Sequence, residues 1–268
     1  MKPATIAYWA SLGLANLPSG PPVPAAEGRQ FRHEDWITLV NRFTSQGDVD
    51  YSTFLRVRRV LESYLDRLSE ARVEQLRDAD EQLALYINAY NALVVYQVLL
   101  HYPVGSLRDI PTAFTRPFPV GRENLSLHQL LHARIRRFGD PRAHAAVVPG
   151  AQSAPPLRGY TGAGLQTELD EQMRSVMADK QRGLRLDSAS RTVFLSQTFR
   201  RFAGDFAAGD RMPSFSNLLA GWLRPASALP ALRPYLPDAA CEMLEAPGTR
   251  LAFLPYVWSL NESYPNHK

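Results

Sequence analysis

The sequence predicts an α+β fold, with a mostly helical first half around a buried central helix and a small, mainly antiparallel sheet in the second half. A long apolar segment over residues 79–102 is typical of a helix that is buried on all sides. Amphipathic helical patterns precede this segment, whereas short β-compatible segments follow it. Because the two kinds of element occupy different halves of the chain, they are expected to segregate as in α+β proteins.

Length and composition favour one large domain. The chain has 268 residues, of which 45% are hydrophobic, so it can bury a full core. We predict a Pro- and Ala-rich N-terminal segment over residues 1–30 and a single α+β domain over residues 31–268. The lone cysteine, Cys241, excludes an intramolecular disulfide and a cysteine cage for zinc or an iron–sulfur cluster.

Residues 1–26 bear on localisation. Their only early positive charge is Lys2, Pro3 follows directly, and Tyr8 and Trp9 dilute the apolar stretch that a signal peptide requires. We therefore expect a cytoplasmic protein, with a periplasmic or secreted protein as the alternative if residues 1–26 act as a signal. Later segments lack the roughly 18 uninterrupted apolar residues of a membrane span, so no span is expected.

The first half is predicted to be a series of helices. Residues 30–43 and residues 52–68 have apolar side chains at helical spacing, and a short third helix precedes the central one. The central helix is expected to have Asp80 as its N-cap and to stop at Pro103.

Two asparagines, Asn88 and Asn91, interrupt the apolar middle of the central helix. They are three residues apart and therefore share a face. Burying such amides without partners would cost on the order of 1 to 3 kcal/mol each, so polar groups must meet them. Two interpretations stay open at this point: the asparagines hold a neighbouring loop, or they line a site.

The second half is predicted to mix helices with short strands. Ser126 and Gln129 form an S-x-x-Q capping box that opens a helix running to about Arg137. Residues 142–148 are β-compatible and bounded by prolines, so we place a buried strand there, with His144 near its start. Further predicted elements are helices over residues 165–178, 197–207 and 213–223, and strands over residues 183–186, 192–195 and 249–260.

The net charge of +4 comes almost wholly from arginine. Two groups of arginines, within residues 56–59 and 134–137, lie in predicted amphipathic helices without interleaved exposed aromatic residues. Because nucleic-acid interfaces usually combine basic and aromatic side chains, we interpret these groups as solvated faces and expect no nucleic-acid partner.

Four segments carry a resemblance to a known family. They are the I-N-A-Y-N core of the central helix, the A-V-V that ends the predicted strand, the P-P-L-R that ends the following loop, and the Y-V-W-S-L-N near the C-terminus. In this order and spacing they resemble the family catalogued as domain of unknown function 547, over about residues 33–261. The family's pairing of cysteine and histidine in turn resembles papain-like and transglutaminase-like enzymes, whose thiolate attacks an acyl carbon.

The chain departs from the family pattern at residues that such chemistry would need. Pro149 and Ala154 stand at the two cysteine positions, Leu131 replaces a glutamate before His132, and Val257 replaces an aspartate. Neither proline nor alanine has an attacking atom, so a cysteine nucleophile is excluded there. The resemblance therefore implies a repurposed enzyme that acts on a small organic substrate by non-covalent acid-base catalysis: cyclisation, isomerisation or elimination.

The remaining polar residues form the predicted site. His144 can exchange a proton near neutral pH, and Tyr160 and His132 complete the candidate catalytic set. Arginines in this region can hold a carboxylate, a phosphate or a developing oxyanion. The candidate substrate-binding residues are Asn88, Asn91, Arg142, Ser153 and Arg158. No metal and no cofactor are expected, and the oligomeric state is left open.

Other interpretations of these residues remain open. The chain is alternatively a catalytically inactive relative that serves as a binding or scaffold protein, with His144 as a core histidine bonded to Asn88 or Asn91. A serine hydrolase would use Ser153 with His144, although the G-x-S-x-G elbow is absent.

A metal-assisted hydrolase is a further alternative. His128 and His132 are four residues apart on one helical face, but the glutamate of the H-E-x-x-H pattern is missing. The surroundings of His144 would distinguish the enzyme from the inactive relative. A cavity on which His144, Tyr160 and Arg158 converge would favour the enzyme, whereas a closed core around His144 would favour the inactive relative.

Overall fold

The computed structural model describes residues 30–208 and 225–263, and its architecture is α+β as predicted. The predicted N-terminal segment, apart from Gln30, and the predicted helix over residues 213–223 lie outside the described residues. Helices dominate the first half of the described chain, and a three-stranded sheet lies in the second half.

Short helices and a small hairpin lead to the central helix. They are α1 (Glu34–Phe43), β1 (Thr44–Ser45), β2 (Asp48–Val49), α2 (Tyr51–Phe54) and α3 (Arg58–Ser69). The predicted helix over residues 52–68 is thus two α-helices joined by a 3₁₀ turn, Leu55–Val57. In α3 the apolar stripe of Leu61, Tyr64 and Leu68 is buried. Helix α3 packs against the central helix.

The central helix α4 (Ala79–His101) is buried over most of its length, as predicted. Its N-cap is Asp78 rather than the predicted Asp80, because the Asp78 carboxylate accepts a hydrogen bond from the Glu81 N–H at 2.9 Å. Asp80 already lies in the first turn, where its charge favours the helix dipole. Among the described residues, α4 alone is long and apolar enough to cross a membrane, but 89% of its apolar window is buried inside the protein. It is therefore a core helix.

A hairpin and an irregular helix follow the central helix. Strands β3 (Phe118–Val120) and β4 (Glu123–Leu125) pair in antiparallel fashion. The predicted capping box then opens α5 (Leu127–Gln129): the Ser126 hydroxyl accepts from the Gln129 N–H, and the Gln129 side chain accepts from the Ser126 N–H. The helical path continues through a π-turn, Leu130–Arg134, and a 3₁₀ turn, Ile135–Phe138.

The strand predicted over residues 142–148 is wrong, because this segment begins with the short helix α6 (Ala143–Ala146). Two local interactions start the helix. The Asp140 carboxylate accepts from the Arg142 N–H at 2.9 Å, and the Pro141 carbonyl accepts from the His144 N–H at 3.1 Å. Alanine also favours helix over strand. His144 consequently lies on a helix and not on a strand.

The rest of the described chain supplies the sheet and its covering helices. These elements are α7 (Leu165–Ala178), β5 (Leu184–Asp187), β6 (Thr192–Leu195), α8 (Gln197–Arg201), α9 (Ala203–Ala208), α10 (Leu229–Leu232), α11 (Asp238–Glu245) and β7 (Arg250–Phe253). The strand order is β5-β6-β7, with an antiparallel β5-β6 pair and a parallel β6-β7 pair. The predicted last strand is shorter than residues 249–260, since Pro255 interrupts it.

Two apolar clusters form the core. The larger one surrounds α4, and the smaller one lies between α7, the sheet, and the helices α8 to α11. Phe202, at the break between α8 and α9, packs against both clusters. The predicted helix over residues 197–207 is therefore two helices that meet where the clusters join.

The two asparagines of α4 hold the loops that cross it. Asn88 donates to the Tyr160 carbonyl at 2.7 Å and accepts from the Tyr160 N–H at 3.0 Å. Asn91 donates to the Ala146 carbonyl at 2.9 Å and accepts from the Val148 N–H at 2.9 Å. Each side-chain amide thus pairs with a buried stretch of loop backbone in the way that a neighbouring strand would.

Replacing Asn88 by leucine should destabilise the protein on the order of 1 to 3 kcal/mol, because the buried N–H and carbonyl of Tyr160 would lose their partners. Urea unfolding measures this difference. Asn41→Leu is the matched control, since Asn41 is exposed on α1. Equal stability of the two variants would contradict the role given to Asn88.

Candidate functional site

The predicted site residues do not converge on one cavity within the described part of the chain. Asn88 and Asn91 are fully buried, and both are committed to loop backbone. Tyr160 is fully buried too, and burial raises the pKa of its hydroxyl, which has no hydrogen-bond partner within that part. These side chains belong to the core.

The predicted anion-binding arginines are paired with carboxylates. Arg142 lies 2.6 Å from Asp140 and 2.8 Å from Asp170. Arg158 lies 2.7 Å from Glu171. Both arginines therefore already have anionic partners from the protein itself.

The serine hydrolase and the metal-assisted hydrolase also lack the arrangement of side chains that each would need. The Ser153 hydroxyl accepts from the Val257 N–H at 2.9 Å, and the Pro255 carbonyl lies 3.5 Å from it, so this hydroxyl holds the C-terminal segment. The rings of His128 and His132 lie 4.5 Å apart. Over residues 30–208 and 225–263, no group of three or more His, Cys, Asp or Glu side chains is placed to hold a metal ion.

His144 and His132, two of the three predicted catalytic residues, are linked through Asp205 and Arg136. His144 Nε2 lies 2.7 Å from Asp205 Oδ2. Arg136 donates to both oxygens of the same carboxylate, from Nε at 2.7 Å and from Nη2 at 2.6 Å. Its third nitrogen, Nη1, lies 3.0 Å from His132 Nδ1. A continuous chain of hydrogen bonds therefore connects the two histidines.

His144 lies in a closed part of the core. It is 4% exposed, and its ring stacks on Phe202 with centroids 3.7 Å apart. The cavity beside it has a volume of about 10 Å³, which is room for about one water molecule. His144 is thus a core histidine, but its partner is Asp205 and not Asn88 or Asn91.

The buried pair of His144 and Asp205 has defined protonation states at neutral pH. Burial raises the pKa of Asp205, but hydrogen bonds from His144 and Arg136 outweigh burial and hold this pKa well below its usual range. Burial lowers the pKa of His144 by more than the Asp205 carboxylate raises it. Asp205 is consequently ionised and His144 neutral at pH 7, with His144 Nε2 donating to the carboxylate.

His132, in the π-turn, is held as a neutral donor. Burial, together with the charge of Arg136, lowers the pKa of His132 to about 2. Because the guanidinium of Arg136 can only donate, His132 Nδ1 must accept, and the neutral ring carries its proton on Nε2. Within the part of the chain that the structure describes, Nε2 has no hydrogen-bond partner.

Two tyrosines share a charged neighbour with this histidine. The charge of Arg201 acts on the pKa of Tyr90, His132 and Tyr256, so all three groups lie within range of its electric field. Burial raises the pKa of Tyr256 to about 12 and also raises that of Tyr90, so both hydroxyls keep their protons at neutral pH. Neither hydroxyl has a hydrogen-bond partner among the described residues. We call Tyr90, His132, Arg201 and Tyr256 the donor cluster.

Sequence reasoning missed most of this site. Tyr90 and Tyr256 belong to two motifs that carry the family resemblance. The interpretation of these motifs was based on the neighbouring asparagines and tryptophan and not on the tyrosines. Arg136 lay in an arginine group that resembled a solvated face. Asp205 and Arg201 carried no signal, because they approach the site from helices more than 60 residues further along the chain.

Replacing Asp205 by alanine should destabilise the protein by about 3 kcal/mol, because Arg136 would be left as a largely buried charge without its carboxylate. Glu171→Ala, which removes the exposed partner of Arg158, should have little effect. Urea unfolding of both variants checks the difference. A stable Asp205→Ala protein would show that the His144–Asp205–Arg136 network is not a structural core.

The comparisons with known proteins support the family resemblance over part of the chain. Residues 73–176 match the family model described as "Protein of unknown function, DUF547". No curated protein and no solved structure matches the chain. The matched region includes α4, His132, His144 and the loop held by Asn88, but it ends before Arg201 and Tyr256. The chain is therefore similar to the family of domain of unknown function 547 over residues 73–176.

Proposed function

We propose that the protein binds a small organic anion at the donor cluster and makes no covalent intermediate with it. One observation carries this proposal. The Tyr90 hydroxyl, the Tyr256 hydroxyl and His132 Nε2 lack partners within the described residues, and the positive charge of Arg201 acts on all three groups. Buried or half-buried donors normally have acceptors, and an anionic ligand would supply them for the two hydroxyls and for His132 Nε2.

The electrostatics support binding more strongly than acid-base chemistry. His144, the expected base, is enclosed by Asp205 and Phe202 and reaches no ligand. His132 has a pKa of about 2, so it donates a hydrogen bond without exchanging a proton near pH 7. Such a site holds an anion in place, as a binding or scaffold relative of an enzyme family would.

A non-covalent cyclase, isomerase or lyase is the second candidate, and the neutral state of His132 favours it. A neutral imidazole and two tyrosine hydroxyls, fixed in advance, can stabilise an oxyanion that develops in a transition state. In that case the enzyme expected from the sequence would use Tyr90, Tyr256 and His132 in place of Tyr160, Arg142 and Arg158. Anion binding at the donor cluster is common to both candidates.

The binding proposal is tested by isothermal titration of the protein with benzoate, acetate and inorganic phosphate. At least one of these anions should bind, and Arg201→Gln or Tyr90→Phe should weaken its affinity about tenfold or more, since each change removes a charge-assisted hydrogen bond. Tyr160→Phe and Arg200→Gln are the matched controls. Tyr160 is sealed in the core, and Arg200 is the adjacent arginine, which is exposed as Arg201 is.

The controls should bind like the unchanged protein. If none of the three anions binds, or if the controls weaken binding as much as the donor-cluster variants, the proposed function is wrong.

A further inference from the structure

An open groove lies between the C-terminal half of α3, the segment that follows this helix, and the residues just before α1. Its volume is about 540 Å³. Sites for small organic ligands have volumes of about 300 to 1,000 Å³, so the groove has room for such a ligand. We call this cavity the mixed-charge groove, and its lining includes Phe31, Asp66, Arg67, Glu70, Arg72 and Leu76.

Phe31 and Leu76 give the groove an apolar part. Leu76 is only 3% exposed and belongs to the core cluster around α4. Phe31 is partly buried, and its ring has two aromatic neighbours, with centroid distances of 4.9 Å to His33 and 6.1 Å to Tyr64. Because these contacts fix the ring in advance, an apolar group can pack against it with little further loss of conformational entropy.

Two acidic side chains of the groove, Asp66 and Glu70, have no partner. They are four residues apart at the end of α3, so they lie on the same face of this helix and repel each other. Both are exposed, and neither carboxylate forms a hydrogen bond or an ion pair within the described residues. An ammonium group bound between them would relieve this repulsion.

The two arginines of the groove differ in what they already bind. The Arg67 guanidinium lies 2.8 Å from Asp35 and 5.7 Å from the centre of the Tyr64 ring, so the protein itself occupies it. Arg72 is exposed and has no carboxylate partner among the described residues. Within the part of the chain that the structure describes, the groove thus offers a guanidinium for a carboxylate and two carboxylates for an ammonium group.

We infer that the mixed-charge groove binds a free amino acid with a large apolar side chain. Asp66 and Glu70 hold its ammonium group, and Arg72 holds its carboxylate. Its side chain packs against Phe31 and Leu76. This inference goes beyond the proposed function, because it concerns a second site that shares no residue with the donor cluster and takes a ligand with both charges.

Four ligands test the inference in an NMR titration of the ¹⁵N-labelled full chain at pH 6, where α-amino groups are protonated: phenylalanine, phenylalaninamide, N-acetylphenylalanine and alanine. Phenylalanine should shift the backbone amides of residues 63–76, which include most of the groove. Alanine lacks the ring, so it should bind there at least about tenfold more weakly. Phenylalaninamide lacks the carboxylate and N-acetylphenylalanine lacks the ammonium group, so each should bind there severalfold more weakly.

Substitutions at the surface give a second readout that does not disturb the core. Glu70→Gln and Arg72→Gln should each weaken phenylalanine binding severalfold. Glu74→Gln and Arg59→Gln are the matched controls, because Glu74 and Arg59 are exposed but lie outside the groove. The controls should bind phenylalanine like the unchanged protein.

The outcomes separate this inference from its alternatives and from the proposed function. If phenylalaninamide binds in the groove as tightly as phenylalanine, the ligand is an organic cation and the inference is wrong. Equal binding of alanine and phenylalanine would overturn the apolar contact. If phenylalanine shifts no amide of residues 63–76, the groove is not an amino-acid site. Arg201→Gln, which should weaken anion binding at the donor cluster, should leave phenylalanine binding unchanged, so the two proposals fail independently.

Discussion

The bidentate pair between Arg136 and Asp205 is the interaction on which the rest of the site depends. The pair connects the irregular helical stretch that follows α5 with helix α9. The same carboxylate also accepts a hydrogen bond from His144 of α6. Three elements that are distant in sequence are thereby fixed around one buried charge. The remaining nitrogen of the guanidinium faces His132, so the pair also decides the proton position on that ring.

The same network restricts what the residues around α4 can do chemically. The asparagines of α4 hold the backbone of Ala146, Val148 and Tyr160. His144 is a core residue bonded to Asp205. The donors Tyr90, Tyr256 and His132 come without a base, and such a set suits the proposed anion binding better than proton transfer.

Much of the fold was predictable because its signals are local. The apolar length of α4, the capping box of Ser126 and Gln129, and the helix Leu165–Ala178 all follow from residue spacing. Errors arose where a local pattern was ambiguous. Asp78 and Asp80 both suit an N-cap, and the short A-H-A-A-V-V run fits either helix or strand until the Asp140 carboxylate is known to accept from the Arg142 N–H just before it.

The site was harder to predict because it is built from long-range contacts. The expected residue types were a proton-exchanging histidine, a tyrosine and an arginine, and the proposed donor cluster contains the same three types. It uses Tyr90, Tyr256 and Arg201 with His132, whereas Tyr160, Arg142 and Arg158 are committed elsewhere. A single sequence records which chemical groups exist, but not which of them already have partners in the fold.

The central claim is that Arg136 holds His132 as a neutral donor protonated on Nε2. Imidazole ¹⁵N and ¹³C NMR of the ring of His132, assigned with a His132→Gln variant and followed from pH 8 to pH 5, measures this directly. With a pKa of about 2, the ring should keep a single neutral form, protonated on Nε2, across the whole range. A midpoint near pH 6.5, or a neutral ring protonated on Nδ1, would contradict the account.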